Sequence, residues 1–148
     1  MSQSFSKIYC HIVFHTKSNI KFIREDIEDE LYAYLGGVLR NCKSISFQIG
    51  GTSDHIHILC TLPRTMAPAD LAEELKKSTS KWIKTKGSHY RDFYWQEGYG
   101  AFSVGWSQVE TIKWYIRNQK QHHSKVSFIE EYKRLLNENG IEYVEKYL

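Results

Sequence analysis

The segment Asp54-His55-Ile56-His57-Ile58-Leu59 alternates polar and apolar residues as a half-buried strand does. Side chains two apart on a strand share a face, so His55 and His57 project together while Ile56 and Ile58 turn to the core. Two imidazoles held side by side can chelate a divalent cation. Farther along, Trp114-Tyr115-Ile116-Arg117-Asn118-Gln119 falls in a helical pattern that puts Tyr115 and Gln119 on one face. A phenol and a neutral oxygen ligand beside a metal form a constellation able to attack a phosphodiester. Neither half is specific alone. A phenol, with a pKa of about 10, needs help to act as a nucleophile near neutrality. A lone His-x-His is often incidental.

Other histidine chemistries fit less well. A nucleotide hydrolase of the histidine-triad kind needs a third histidine where Leu59 stands. The two-histidine phosphoesterases need two separate His-x-Ser/Thr pairs, which the chain lacks. Structural zinc needs four nitrogen or sulfur ligands, and Cys10, Cys42 and Cys60 have no metal-type spacing.

The elements that must hold these residues can be read from periodicity. Ile8, Cys10, Ile12 and Phe14 alternate with Tyr9, His11, Val13 and His15 in a first strand. A helix over 25–41 follows, with Ile27, Leu31, Tyr34, Leu35 and Val38 as its buried stripe. Strands over 45–50 and 55–61 are joined by Gly50-Gly51-Thr52-Ser53, which predicts a hairpin. Pro68 opens a second helix that runs to about Lys84. A short strand around 101–105 follows an aromatic loop. Ser107-x-x-Glu110 and Ser127-x-x-Glu130 read as capping boxes for a third helix from 108 and a terminal helix to about Asn137. Residues 141–148 fit either a short strand or a helical tail.

The order strand, helix, strand, strand, helix, strand predicts an α+β fold of ferredoxin-like plan. Its antiparallel sheet would carry helices on one face and leave the other, with His55 and His57, open.

At 148 residues and 41% hydrophobic, one domain with a real core is expected. No stretch is apolar enough for a membrane span, and the first residues lack the pattern of a secretory signal. Three unpaired-looking cysteines suit a reducing cytoplasm. The net charge of +3 is weak evidence for a polyanion partner. Its distribution says more. Residues 76–91 and 113–125 carry lysines and arginines and no acid, and the second stretch bears Tyr115. Lys76, Lys77, Lys81, Lys84, Arg117 and Lys120 are therefore candidate DNA contacts, and His11, on the strand face beside the histidine pair, is another. Trp95, Tyr99 and Phe102 are candidate base-stacking groups, though core packing is the commoner fate of such residues.

Taken in order, these motifs resemble the single-tyrosine HUH transposases, the small enzymes of certain insertion sequences and the related REP-associated tyrosine transposases. The resemblance covers roughly residues 5–125. It runs from Tyr9-Cys10-His11-Ile12-Val13-Phe14 through His55-Ile56-His57 and Tyr94-Trp95-Gln96-Glu97-Gly98-Tyr99-Gly100-Ala101-Phe102-Ser103 to Tyr115-Ile116-Arg117-Asn118-Gln119 and His122-His123. It implies that His55, His57 and Gln119 are ligands of Mg²⁺ or Mn²⁺ and that Tyr115 is the nucleophile. The substrate it implies is single-stranded DNA carrying hairpins, cleaved and rejoined through a 5′-phosphotyrosine. It also implies a homodimer whose tyrosine helix docks in cis or in trans, with Gly105 as a plausible hinge. On this reading residues 1–148 form one transposase domain with 126–148 as a C-terminal helical tail. The protein would work in the cytoplasm, at the nucleoid when on DNA. The rival reading is a non-catalytic module that binds single-stranded nucleic acid.

Overall fold

A computed structural model describes residues 2–148. Four antiparallel strands form one sheet in the order β2-β3-β1-β4: β1 is Tyr9–His15, β2 is Ser46–Gly51, β3 is His55–Thr61 and β4 is Gly100–Val104. In the central pair, His15 lies opposite His55, Val13 opposite His57 and His11 opposite Leu59. The expected ferredoxin-like α+β sheet is present.

Alternation along β1 and β3 gives the sheet two different faces. Cys10, Ile12, Phe14, Ile56, Ile58 and Cys60 point into the main core. That core is capped by α1 (Glu25–Asn41) and α2 (Pro68–Ile83), which contribute Leu31, Leu35, Leu39, Leu71 and Leu75. Acidic Glu25, Asp26 and Glu28 in the first turn of α1 complement its dipole. Pro68 starts α2, and the Ala67 amide donates to Asp70 Oδ2 at 3.0 Å.

The second face is not open. It is covered by α3 (Val109–Arg117), α4 (Gln119–His122) and α5 (Phe128–Glu138). Two smaller apolar clusters hold this layer down. Tyr9 and Leu59 pack with Val109 and Ile116, while Val13 and Phe102 pack with Phe128, Tyr132, Leu135 and Leu136. Both strands are therefore buried along their whole length, although a one-sided sheet was expected. The terminal helix supplies the extra apolar stripe that makes this possible.

Two local expectations differ. Ser107 does not cap α3, because Trp106–Gln108 form a 3₁₀ turn, closed by Gln108 N–H donating to Gly105 O at 2.9 Å, and the α-helix begins after it. Asn118, with φ −101° and ψ 23°, breaks the helix between Tyr115 and Gln119. By contrast, Ser127 Oγ does accept from Glu130 N–H at 3.3 Å and fixes the start of α5. In the tail, Glu145–Tyr147 form a single 3₁₀ turn.

Two glycines set where the second layer sits. Gly50 pairs with His57 in the ladder, and a Cβ on it would lie 2.6 Å from the backbone oxygen of Ile116. The absence of a side chain lets α3 ride directly on β2. A Cβ on Gly51 would meet His55 O at 2.1 Å, so the hairpin can turn this tightly only with glycine there. Gly105, the expected hinge, has an ordinary extended backbone that needs no glycine.

Candidate active site

His55 and His57 leave β3 on the second face and are fully buried beneath α3, α4 and α5. Gln119 Oε1 lies 2.7 Å from His55 Nε2. The Tyr115 ring packs edge-on against His57, with centroids 5.8 Å apart. The four residues singled out from spacing thus meet at one place, and they do so within one chain. The break at Asn118 does not separate Tyr115 from Gln119, because backbone bonds from Asn118 N to Trp114 O and from His123 N to Gln119 O continue the helical path.

A fifth residue sits at their centre. Glu131, on α5, has no solvent exposure. Its Oε1 accepts from His57 Nε2 at 2.9 Å and faces His123 Nε2 at 3.0 Å and His55 Nε2 at 3.8 Å. Its Oε2 accepts from Gln119 Nε2 at 2.9 Å and from the Tyr115 hydroxyl. Arg134, one turn on along α5, donates from Nη2 to the same phenol oxygen at 2.9 Å. Burial pushes the Glu131 carboxyl up, but the bonds from His123, His57 and Tyr115 outweigh it and hold the group ionised, well below the usual carboxylate range. Burial and the Glu131 charge raise the Tyr115 phenol above its ordinary value. Burial lowers His57 to about 4 and His11 to about 3, so both are neutral near pH 7. His11 Nε2 bonds His57 Nδ1 at 2.7 Å from a diagonal position on the neighbouring strand.

The donors and acceptors do not balance without added positive charge. Asp54 Oδ1 can only accept, so His55 Nδ1 donates to it at 2.7 Å, with Thr52 Oγ1 donating to the same carboxylate at 3.0 Å. His55 Nε2 is then a lone pair facing Gln119 Oε1. Flipping the amide moves the conflict to Glu131 Oε2, where the amide nitrogen now donates. His123 repeats the pattern. Its Nδ1 donates to Val126 O at 2.6 Å, and its Nε2 faces the Glu131 carboxylate. Each conflict is relieved by a proton or a metal ion on the nitrogen. His55, His57, His123 and Glu131 each offer one ligand atom, and these atoms lie within 4.8 Å of one another. This donor set fits a divalent cation.

The other candidates fall in several places. His11 is buried under the site, on His57. Lys76, Lys77 and Lys81 are on α2 and Lys84 begins the 3₁₀ turn after it, across the sheet from the histidines. Lys76 Nζ donates to Gln96 O and Gly98 O at 2.7 and 2.8 Å, tying down the aromatic loop. Lys84 sits over the Tyr94 ring. Lys120 pairs with Glu28 at 2.8 Å, and Arg117 is exposed. Trp95 and Phe102 are core residues, whereas Tyr99 is partly exposed. Asp54 and His123 stand within the motifs read from the sequence without a place among the site residues, and Glu131 is not singled out there. A signal for Glu131 was available: it lies three residues after Phe128 and four before Leu135, a carboxylate on the apolar face of an amphipathic helix.

A family model described as "Transposase IS200 like" matches residues 4–119. No curated protein matches the sequence. Among solved structures, a Deinococcus radiodurans R1 protein assigned as a transposase is similar at 19% identity and a TM-score of 0.62, over 80% of this chain and 98% of that one. A REP-associated tyrosine transposase, solved bound to a REP hairpin, is similar at 14% identity and a TM-score of 0.62, over 85% of this chain and 74% of that one. At these identities the two structures speak for the fold alone.

Proposed function

The chain belongs to the IS200-like transposases, and from that membership we propose that it cleaves and rejoins single-stranded DNA through a covalent bond to Tyr115. The observation that carries this reading is the meeting of a half-buried Tyr115 with the buried Gln119, His55 and His57. A phenol in such a place has the reach to attack phosphorus beside a metal.

In the proposed reaction Tyr115 Oη bonds to the scissile phosphorus, and the bond to the 3′ oxygen breaks. The products are a 5′-phosphotyrosine and a free 3′-OH. The ester conserves the bond energy, so rejoining by a 3′-OH needs no nucleotide cofactor. The phenolic proton already points at Glu131 Oε2, which would relay it towards the departing 3′ oxygen as that bond breaks. The Arg134 guanidinium, donating to the phenol oxygen, favours the phenolate that must form. His55, His57 and Gln119 would hold Mg²⁺ or Mn²⁺. Such an ion would supply positive charge for the phosphoryl oxygen. His11, Asp54 and Thr52 fix the ring planes of the two histidines.

Hairpin-bearing DNA is the proposed substrate, by likeness to the relative solved on such a ligand. Exposed Trp106 and Trp114, at the start of and along α3, are large apolar groups suited to a second copy of the chain, and we propose a homodimer. No helix among the described residues is long and apolar enough to cross a membrane. Action on DNA would place the protein at the nucleoid.

The test is Tyr115→Phe with a labelled hairpin oligonucleotide and Mn²⁺. Wild type is expected to form a covalent adduct resistant to denaturation. The variant should bind the DNA and form none. Persistent adducts would remove Tyr115 as nucleophile. Cleavage without adducts in wild type would point to water as the attacking group, and binding without either to a non-catalytic module.

A further inference from the structure

We propose that the metal of this chain is held in a His₃–carboxylate cage made by His55, His57, His123 and Glu131, and that the cage selects a first-row transition dication over Mg²⁺. The proposal rests on the metal reading of the site given above and changes its ligand set. Two of the four ligands, His123 and Glu131, lie beyond the residues matched by the family model, which end at Gln119.

Three observations support the cage. The first is orientation: each imidazole has its Nδ1 fixed from behind and its Nε2 turned inward. His55 is backed by the Asp54 carboxylate at 2.7 Å, His57 by His11 at 2.7 Å and His123 by the Val126 carbonyl at 2.6 Å. Such backing partners are a general feature of histidine ligands. Chance packing has no reason to supply three at once. The second is convergence: Glu131 Oε1 is 2.9, 3.0 and 3.8 Å from the Nε2 atoms of His57, His123 and His55. The third is charge. Three neutral imidazoles and one carboxylate give a dication a single negative partner, and the lone pairs of His55 and His123 now face acceptors that only positive charge reconciles.

This donor set decides the metal class. Mg²⁺ prefers oxygen ligands and keeps most of its water. Three nitrogens and one oxygen suit Mn²⁺, Co²⁺ or Zn²⁺. A groove of ≈ 400 Å³ lies beside Asp54 and His123, lined also by Lys21, Glu25 and Glu28. The carboxylate further couples metal to nucleophile. Its Oε1 faces the histidines while its Oε2 holds the Tyr115 hydroxyl and the Gln119 amide. Gln119 on this view positions Glu131 more than it binds the ion.

The experiment is metal binding by the full chain without DNA, followed by calorimetry and by EPR of Mn²⁺. Wild type should bind Mn²⁺ and Zn²⁺ at least about 100-fold more tightly than Mg²⁺. His123→Ala and Glu131→Gln should each weaken Mn²⁺ by about tenfold or more, and Gln119→Ala by only a few-fold. If His123→Ala and Glu131→Gln bind like wild type while His55→Ala and Gln119→Ala do not, the cage is wrong and the ligand set of the proposed function stands. If His55→Ala also binds like wild type, that set falls as well. Pulsed EPR on Mn²⁺-loaded wild type needs no variant to fold: three coupled imidazole nitrogens are expected, and two would overturn the cage.

Discussion

Gly50→Ala tests the positioning of the nucleophile without touching any group of the site. A Cβ there would lie 2.6 Å from Ile116 O and 3.0 Å from Ile116 Cγ2. Ordinary contact begins at 3.4 Å, so α3 must lift by about 0.8 Å at this point or β2 must give way. The obstacle is helix backbone, which cannot rotate aside as a side chain can. Overpacking of this kind costs about 1–3 kcal/mol, which for a domain of this size lowers Tm by roughly 3–10 °C. Tyr115 precedes Ile116 and moves with it. Misplacing a reacting atom by about 1 Å lowers rate about 10²-fold. Adduct formation on a labelled hairpin should therefore fall by about two orders of magnitude at a temperature where the variant is still folded. Gly36→Ala is the control, since its Cβ would meet nothing within 4 Å and the residue lies inside α1. It should leave the adduct rate alone and raise stability by about 0.4–1 kcal/mol. A Gly50→Ala protein with unchanged melting and unchanged adduct rate would show that α3 is not seated on β2.

Asp54→Ala should weaken Mn²⁺ binding by about 10–100-fold, because the His55 ring loses the carboxylate that orients it; calorimetry showing less than a twofold change would deny Asp54 that role. Lys76→Met should lower stability by about 0.5–1.5 kcal/mol, since the carbonyls of Gln96 and Gly98 exchange this donor for water. It should leave the salt slope of DNA binding unchanged, and a slope shallower by about one unit would instead make Lys76 a phosphate contact. The metal-free protein should lose stability as pH falls from 6.5 towards 4. In that window the unfolded His57 takes up a proton that the folded one, lowered to about 4 by burial, refuses, so stability rises with pH. The effect of His57 alone is on the order of 3 kcal/mol, and His11, lowered to about 3, adds to it with the same sign. His123, raised because its bond to Glu131 outweighs burial, has the opposite sign: its contribution is present at the acid end and is lost as pH rises above 6.5. Thermal melts that are flat over this range would refute the neutral, buried histidines.

The parts of the fold with strict periodicity were legible. Alternation in Tyr9–His15 and His55–Thr61 marked both central strands, and the helix expected over 25–41 is Glu25–Asn41. Parity alone put His55 and His57 on the same face, and spacing alone put Tyr115 beside Gln119. What alternation could not say is whether that face is covered. Tyr9, His11, Val13 and His15 read as an exposed row because two of them are polar. In the fold they are buried, because imidazoles can satisfy one another and α5 brings the apolar cover. The chemistry of residues past 119 was only partly legible. The apolar stripe of α5 marks Glu131 as buried, but what meets it there depends on how α3, α4 and β3 pack, and His57 on β3 is far away in sequence.

Burying Glu131 is not a route to stability. A carboxylate removed from water loses hydration worth several kcal/mol, and its partners repay this only with near-complete hydrogen bonding. A leucine at the same place on α5 would continue the stripe of Phe128, Tyr132, Leu135 and Leu136, but would leave four polar side chains without their acceptor. The chain instead places an anion where three imidazoles, a phenol and an amide converge, and uses the apolar remainder of α5 to hold it there. That arrangement suits a site whose working charge is positive. With a dication among the histidines the carboxylate is matched, and the lone pairs of His55 and His123 acquire a partner. Glu131→Leu therefore leaves the donors of His57, His123, Gln119 and Tyr115 without an acceptor and should melt below wild type when both are metal-free. The gap should widen when Mn²⁺ is added, because wild type gains the larger binding energy in the folded state. Melting curves for the two proteins with and without Mn²⁺ decide the matter. A variant that is less stable than wild type in both conditions, by the same margin, would make Glu131 a structural residue and nothing more.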